Sequence, residues 1–153
     1  LGRGIWHDFS FYQRFEKKYG AVFMWSMYLA MGADAYIRNH VEEDPLRALA
    51  ARYIGMEDFL HMPPWNSQWY LQQIEQNDID GVVYMVPENC MQAVEGSAFI
   101  KKALEDAGIP VLIFKADPVD ARKWNADTMT ELVDNFIEQR VIPNKAKKEK
   151  GEM

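Results

Sequence analysis

Two short apolar runs, Gly81-Val82-Val83-Tyr84-Met85-Val86 and Val111-Leu112-Ile113-Phe114, constrain the fold of this chain more than any other feature. Each reads as a strand buried on both faces, because neither alternates apolar with polar residues. The stretch between them predicts a helix from about Met91 to Ala107, with Gly108 as its left-handed stop. Strand, helix and strand in that order imply a right-handed crossover and a parallel pair. The expected class is α/β, with a parallel sheet between helical layers.

The rest of the chain extends the same alternation. Tyr12, Phe15 and Tyr19 fall at helical spacing, predicting a helix over Asp8 to Tyr19 that Gly20 ends. Ala21 to Met27 is a continuous apolar run and reads as another buried strand. Asp44 can cap a helix that begins at Pro45, with Leu46, Leu49, Ala50, Tyr53 and Ile54 as one apolar stripe ending at Gly55. Pro63 and Pro64 forbid regular structure around His61 to Trp65, and a helix restarts at Ser67 and runs to about Asn77. The last helix carries Thr128-x-x-Glu131 as a capping box and Met129, Leu132, Val133, Phe136 and Ile137 as its buried face. Residues 1–142 are expected to form one α/β domain. The Lys-rich stretch 143–153 is expected to be a solvated, disordered end.

Composition narrows the partners. A net charge of −6 argues against nucleic acid, because neutralising a phosphate backbone takes a basic surface. The longest apolar run, Ala21 to Met31, is too short to span a bilayer, and no secretory leader is evident, so a cytoplasmic protein is expected. The chain opens Leu1-Gly2-Arg3-Gly4 without an initiator methionine, which suggests a piece of something longer. Its single cysteine excludes an internal disulfide.

In a parallel α/β sheet, ligands bind beyond the carboxyl ends of the strands. That rule singles out Tyr28 to Asp34, Pro87 to Cys90, and Lys115 to Asp120. Cys90 falls where a strand gives way to a helix, and the unpaired N–H groups of a first helical turn stabilise a thiolate as nucleophile or metal ligand. The plainer alternative is a buried cysteine acting as a small hydrophobe. None of His7, His40 and His61 stands at a recognisable spacing from it; His61 could approach the edge from the Pro-Pro loop, and His7 lies near the beginning of the chain. Glu88, Asp117 and Asp120 could serve as acid or base if burial raised their pKa values, although capping and turn formation explain them equally well. There is no Gly-rich phosphate loop, Walker lysine or Cys-x-x-Cys pair. The aromatic and Met-rich stretches Phe23 to Tyr28 and Met62 to Tyr70 read as core packing, with a flat apolar substrate pocket as the alternative.

Several motifs taken in order resemble one family. The run Asp80-Gly81-Val82-Val83-Tyr84-Met85-Val86-Pro87-Glu88-Asn89-Cys90, then Gly108-Ile109-Pro110-Val111-Leu112, Asp117 and Asn135-Phe136-Ile137-Glu138 resemble the carboxyl-terminal domain of the benzoyl-CoA reductase and 2-hydroxyacyl-CoA dehydratase family. Asp44-Pro45-Leu46 through Arg52-Tyr53 resembles a helix of that family. Gly20 to Ser26 and Met56 to Ser67 look more like a benzoyl-CoA reductase subunit than a dehydratase. The resemblance implies a flavodoxin-like, Rossmann-like three-layer half-domain of a cluster-binding subunit. It implies a homologous second subunit, an ATP-hydrolysing iron–sulfur activator that supplies a low-potential electron, and a CoA-thioester substrate. Cys90 matches the family's last [4Fe-4S] ligand, and Met24, Trp25, His61 and Trp65 become candidates for the substrate pocket. One thiolate cannot hold such a cluster, so these residues alone are expected to bind none stably. The alternatives are a (R)-2-hydroxyacyl-CoA dehydratase subunit, a lyase working through a ketyl radical, and a noncatalytic α/β interaction module.

Overall fold

In the computed structural model, the residues described are 5, 7–24, 44–50, 65–88 and 96–151. The labelled elements are α1 (Ser10–Tyr19), α2 (Trp65–Gln76), β1 (Val82–Pro87), α3 (Ser97–Asp106), β2 (Val111–Ala116) and α4 (Ala126–Phe136), followed by α5 (Ile142–Glu149). A 3-10 turn over Ala121–Lys123 precedes α4, and a π-turn over Ile137–Val141 joins α4 to α5. β1 and β2 pair in parallel, Val82 opposite Val111 and Pro87 opposite Ala116, with α3 as the crossover between them. This is the expected α/β arrangement, a parallel sheet of flavodoxin-like type.

Strand alternation divides the core in two. Val82, Tyr84 and Val86 of β1, with Val111 of β2, pack against Tyr70 and Ile74 of α2 and Ile100 and Leu104 of α3. Met85, Phe114 and Ala116 point the other way, against Phe11 and Phe15 of α1, Val133 of α4 and Ile137. Successive side chains of a strand face opposite sides, so an unbroken apolar run is what two helical layers require. Leu104, Val133 and Phe15 are wholly buried.

Three helices end alike and thereby deliver the chain to the core. Gly20 (φ +67), Asp78 (φ +48) and Gly108 (φ +76) are left-handed. In each case the next residue donates back across the last turn: Ala21 to the Phe15 carbonyl, Ile79 to Ile74 and Ile109 to Leu104. The stops at Asp78 and Gly108 are Schellman motifs, with Asp78 N also donating to Glu75 and Gly108 N to Glu105, whereas Gly20 donates to the Glu16 carbonyl at 2.9 Å in the simpler αL motif; in all three the residue after the left-handed one makes an apolar contact. Ala21, Ile79 and Ile109 all pack against the core.

The structure corrects several expectations. The helix predicted from Ser67 begins at Trp65, and β2 runs on to Ala116. The described part of the predicted strand over Ala21 to Met27, residues 21–24, makes no assigned ladder. The Thr128/Glu131 capping box does not form, because α4 begins earlier, at Ala126. Asn125 is its cap, extended at φ −106° and accepting from Thr128 N at 3.1 Å. Leu132 of the predicted buried face is 37% exposed. Asp44 does cap, its carboxylate accepting from Leu46 N and Arg47 N, but Leu46 and Leu49 of the predicted stripe are exposed. The stretch expected to be disordered from Pro143 forms α5, tied down by Asn144, Lys145 and Lys148. Pro143 has no N–H to continue a regular α-ladder, which is a physical reason for the helix to widen into a π-turn just before it.

Among the described residues no helix is long and apolar enough to cross a membrane.

Candidate functional site

The carboxyl edge of the sheet is built from two exits. After β1, Glu88 N donates to the Ala116 carbonyl at 3.3 Å, continuing the ladder one residue past the strand. After β2, the chain turns at once. Asp117 Oδ1 accepts from Val119 N and Asp120 N, both at 3.0 Å, folding the Asp-Pro turn around its own carboxylate. Asp120 caps the 3-10 turn through Arg122 N at 3.0 Å and grips the Arg122 guanidinium at 2.8 and 2.7 Å.

These bonds decide the chemistry of the two aspartates. Hydrogen bonds from the Asp120 and Val119 amides hold the Asp117 carboxyl below the usual carboxylate range. The Arg122 side chain, and then its amide, do the same for Asp120. A general acid at neutral pH needs the opposite shift. Both aspartates are therefore ionised turn and cap residues, the second of the two readings open from the sequence. Lys123, carried on the 3-10 turn that Asp120 caps, stands 3.8 Å from Glu88 and 3.8 Å from Asp117, bridging the two strand exits.

The segment before α1 closes one side of this edge. His7 Nε2 lies 3.3 Å from the Asp117 carbonyl, and its ring meets Trp124 edge-on at 5.5 Å. Trp124 Nε1 donates to Asp8 Oδ2 at 3.3 Å and packs against Phe11. The Ser10 hydroxyl bond, helped by Trp124 and Arg14, holds the Asp8 carboxyl below its usual range against the opposing effect of burial. Sequence reasoning set His7 aside. It is 110 residues from Asp117, and no local spacing could have joined them.

Of the candidates from the sequence, Cys90, Trp25 and His61 lie outside the described residues, as does His40. Trp65 opens α2. Met24, half exposed, stands instead in the wall of a cavity of about 600 Å³ with Gly81, Val82 and Val83, at the amino end of β1. Tyr70, in the second aromatic stretch, is a core residue.

A [4Fe-4S] cluster is held by a set of cysteine thiolates. The chain has one cysteine, and among the described residues no group of three or more His, Cys, Asp and Glu side chains could hold a metal ion. The carboxyl edge as described is thus a hydrogen-bonded frame around two strand exits and does not make a cluster site by itself.

A family model described as 2-hydroxyglutaryl-CoA dehydratase, D-component, matches residues 1–139. No curated protein and no solved structure gives a match.

Proposed function

The chain belongs to the 2-hydroxyglutaryl-CoA dehydratase D-component family, and on that premise we propose that it is the carboxyl-terminal part of an iron–sulfur subunit of an ATP-dependent benzoyl-CoA reductase. The family places the chain in a CoA-thioester dehydratase or reductase system. The observation that carries the reading is that match over residues 1–139, together with the parallel pair whose first exit, Glu88, comes two residues before Cys90. The likeness of Gly20 to Ser26 and Met56 to Ser67 to reductase subunits supports the choice of reaction.

In this reading the thioester activates the aromatic ring, and a separate ATP-hydrolysing iron–sulfur activator supplies a strongly reducing electron. Cys90 would be one thiolate ligand of a cluster completed by ligands outside these 153 residues, and such a cluster, when bound, would supply one-electron chemistry at low potential. The task of the chain itself is to hold the acyl group and keep water away from it, with Met24, Trp25, His61 and Trp65 as pocket candidates. A homologous subunit completes the complex, in the cytoplasm.

A second reading, a (R)-2-hydroxyacyl-CoA dehydratase subunit, is favoured by the description of the family itself. Assaying the full-length complex with activator, ATP and reductant on benzoyl-CoA and on a 2-hydroxyacyl-CoA separates the two. Ring reduction is expected, and dehydration without ring reduction would replace the first reading with the second. Cys90→Ser in the full-length subunit is expected to lower its iron and sulfide content and abolish activity. Unchanged content and turnover would instead make the chain a noncatalytic module with a structural cysteine.

A further inference from the structure

α5 is held in place in a different way from α4. α4 buries Val133 and Phe136, whereas α5 buries no side chain, and its Ile142 is 51% exposed. Its attachments are polar. Lys145 Nζ lies 2.8 Å from Asp80 Oδ2, Lys148 Nζ lies 3.1 Å from Asp78 Oδ1, and Asn144 Nδ2 donates to the Gly108 carbonyl at 3.1 Å. Asp80 precedes β1 by two residues and Gly108 precedes β2 by three, so a single helix spans the entries of both strands.

The residues just before α5 are anchored far better. Arg140 donates to the Val111 carbonyl at 2.9 Å and pairs with Glu105 at 3.3 Å. Val141 is packed so closely on Gly81 that a Cβ there would stand 2.8 Å from it. The boundary between fixed and weakly held chain therefore falls between Val141 and Ile142. We propose that α5 is an ionic strap, held across the amino ends of β1 and β2 by charge and amide contacts in place of apolar burial, which releases when those charges are screened or neutralised.

Release has a local consequence. Asp78, Asp80 and Val141 stand in the wall of the 600 Å³ cavity at the amino end of β1. With α5 docked, two lysines offset the two carboxylates; with α5 released, that rim carries their uncompensated negative charge. The trigger is a rise in ionic strength or any loss of the positive charge at Lys145 and Lys148. Exposed ion pairs are individually weak and are screened by salt, whereas apolar packing is not weakened in that way. The strap lies at the opposite end of the strands from Glu88 and Asp117, and its test reads only the exchange of α5 amides, so a failure of the proposed reaction leaves it standing.

Hydrogen exchange on the whole chain tests it. Amides of α5 are expected to exchange about five- to tenfold faster in about 1 M NaCl than in about 0.02 M, while amides of β1 and β2 keep their protection. The double variant Lys145→Gln/Lys148→Gln should show the fast α5 exchange already at low salt. Should that variant fail to fold, Asp78→Asn/Asp80→Asn removes the same pairs from the other side, and the salt series on the unaltered chain stands alone. Protection of α5 that is indifferent to salt overturns the proposal. So does loss of α5 and strand protection together, which would make α5 part of the cooperative core.

Discussion

The two faces of the sheet are assembled from different parts of the chain. The face covered by α2 and α3 draws its core from within one stretch of sequence, Trp69 to Ile113. The face covered by α1 and α4 joins the two ends of the chain. Arg14 reaches Thr130 at 3.1 Å, Lys18 reaches Asp134 at 2.8 Å, and Tyr19 OH donates to Glu138 at 2.6 Å. It is also the more aromatic face, with Phe11 and Phe15 at 5.0 Å and Phe15 and Phe23 at 5.7 Å, ring edge to ring face. Contacts between distant residues must overcome a larger loop-closure entropy before they repay it. The far-joined face is therefore the one that needs dense aromatic burial and polar ties between helices. Burial, followed by the bond to Glu138, pushes the Tyr19 hydroxyl up to about 12, which keeps it a neutral donor.

The sharpest way to break this comparison is Phe15→Ala. Phe15 is wholly buried, so the variant should lose about 3–5 kcal/mol in urea unfolding. If the faces differ as argued, α1 and α4 amides lose exchange protection before those of α2 and α3; simultaneous loss would make the two faces one cooperative unit. Leu104→Ala tests the local face, at about 2–5 kcal/mol, with the opposite order of lost protection. Asn125→Ala should cost about 1 kcal/mol by uncapping α4, and Glu131→Ala much less, because no capping box forms. Equal losses from the last two would restore the box.

The smallest expected effect is on pH dependence. The Asp8 carboxyl is lowered in the folded chain, chiefly by the Ser10 hydroxyl bond and also by Trp124 and Arg14. Its contribution is then complete above the ordinary unfolded pKa of about 3.9 and is lost as the pH falls through the lower folded value. Asp8→Asn should therefore flatten the acid limb of the urea midpoint plotted against pH. An unchanged limb would mean that Asp8 does not help fix α1 to Trp124.

The same contrast explains what could be read from the sequence. The β1–α3–β2 unit was legible because each signal is local: apolar runs, a glycine stop, and a length suited to a crossover. The rule that sites lie beyond the carboxyl ends of strands led to Glu88, Asp117 and Asp120, whose surroundings are now defined. The partners of Asp8 and His7 were not legible, since Trp124 and Asp117 are more than a hundred residues away in sequence. The Thr128/Glu131 pattern misled because it is a true capping pattern in the wrong frame: Asn125, three residues earlier, has the extended backbone a cap requires. The Lys-rich end misled for another reason. Its composition offers nothing to bury, and the positions of Asp78, Asp80 and the Gly108 carbonyl show what holds it against the strand entries nonetheless.

The π-turn over Ile137–Val141 adds one residue to a turn, and one residue is about 100° around a helix axis. α5 is consequently out of phase with the apolar stripe that seats α4. Deleting a single residue from that turn would swing Lys145 and Lys148 by about that angle, away from Asp80 and Asp78, with no change to either charge. The direction in which α5 points is thus encoded in how many residues precede it as much as in which residues they are.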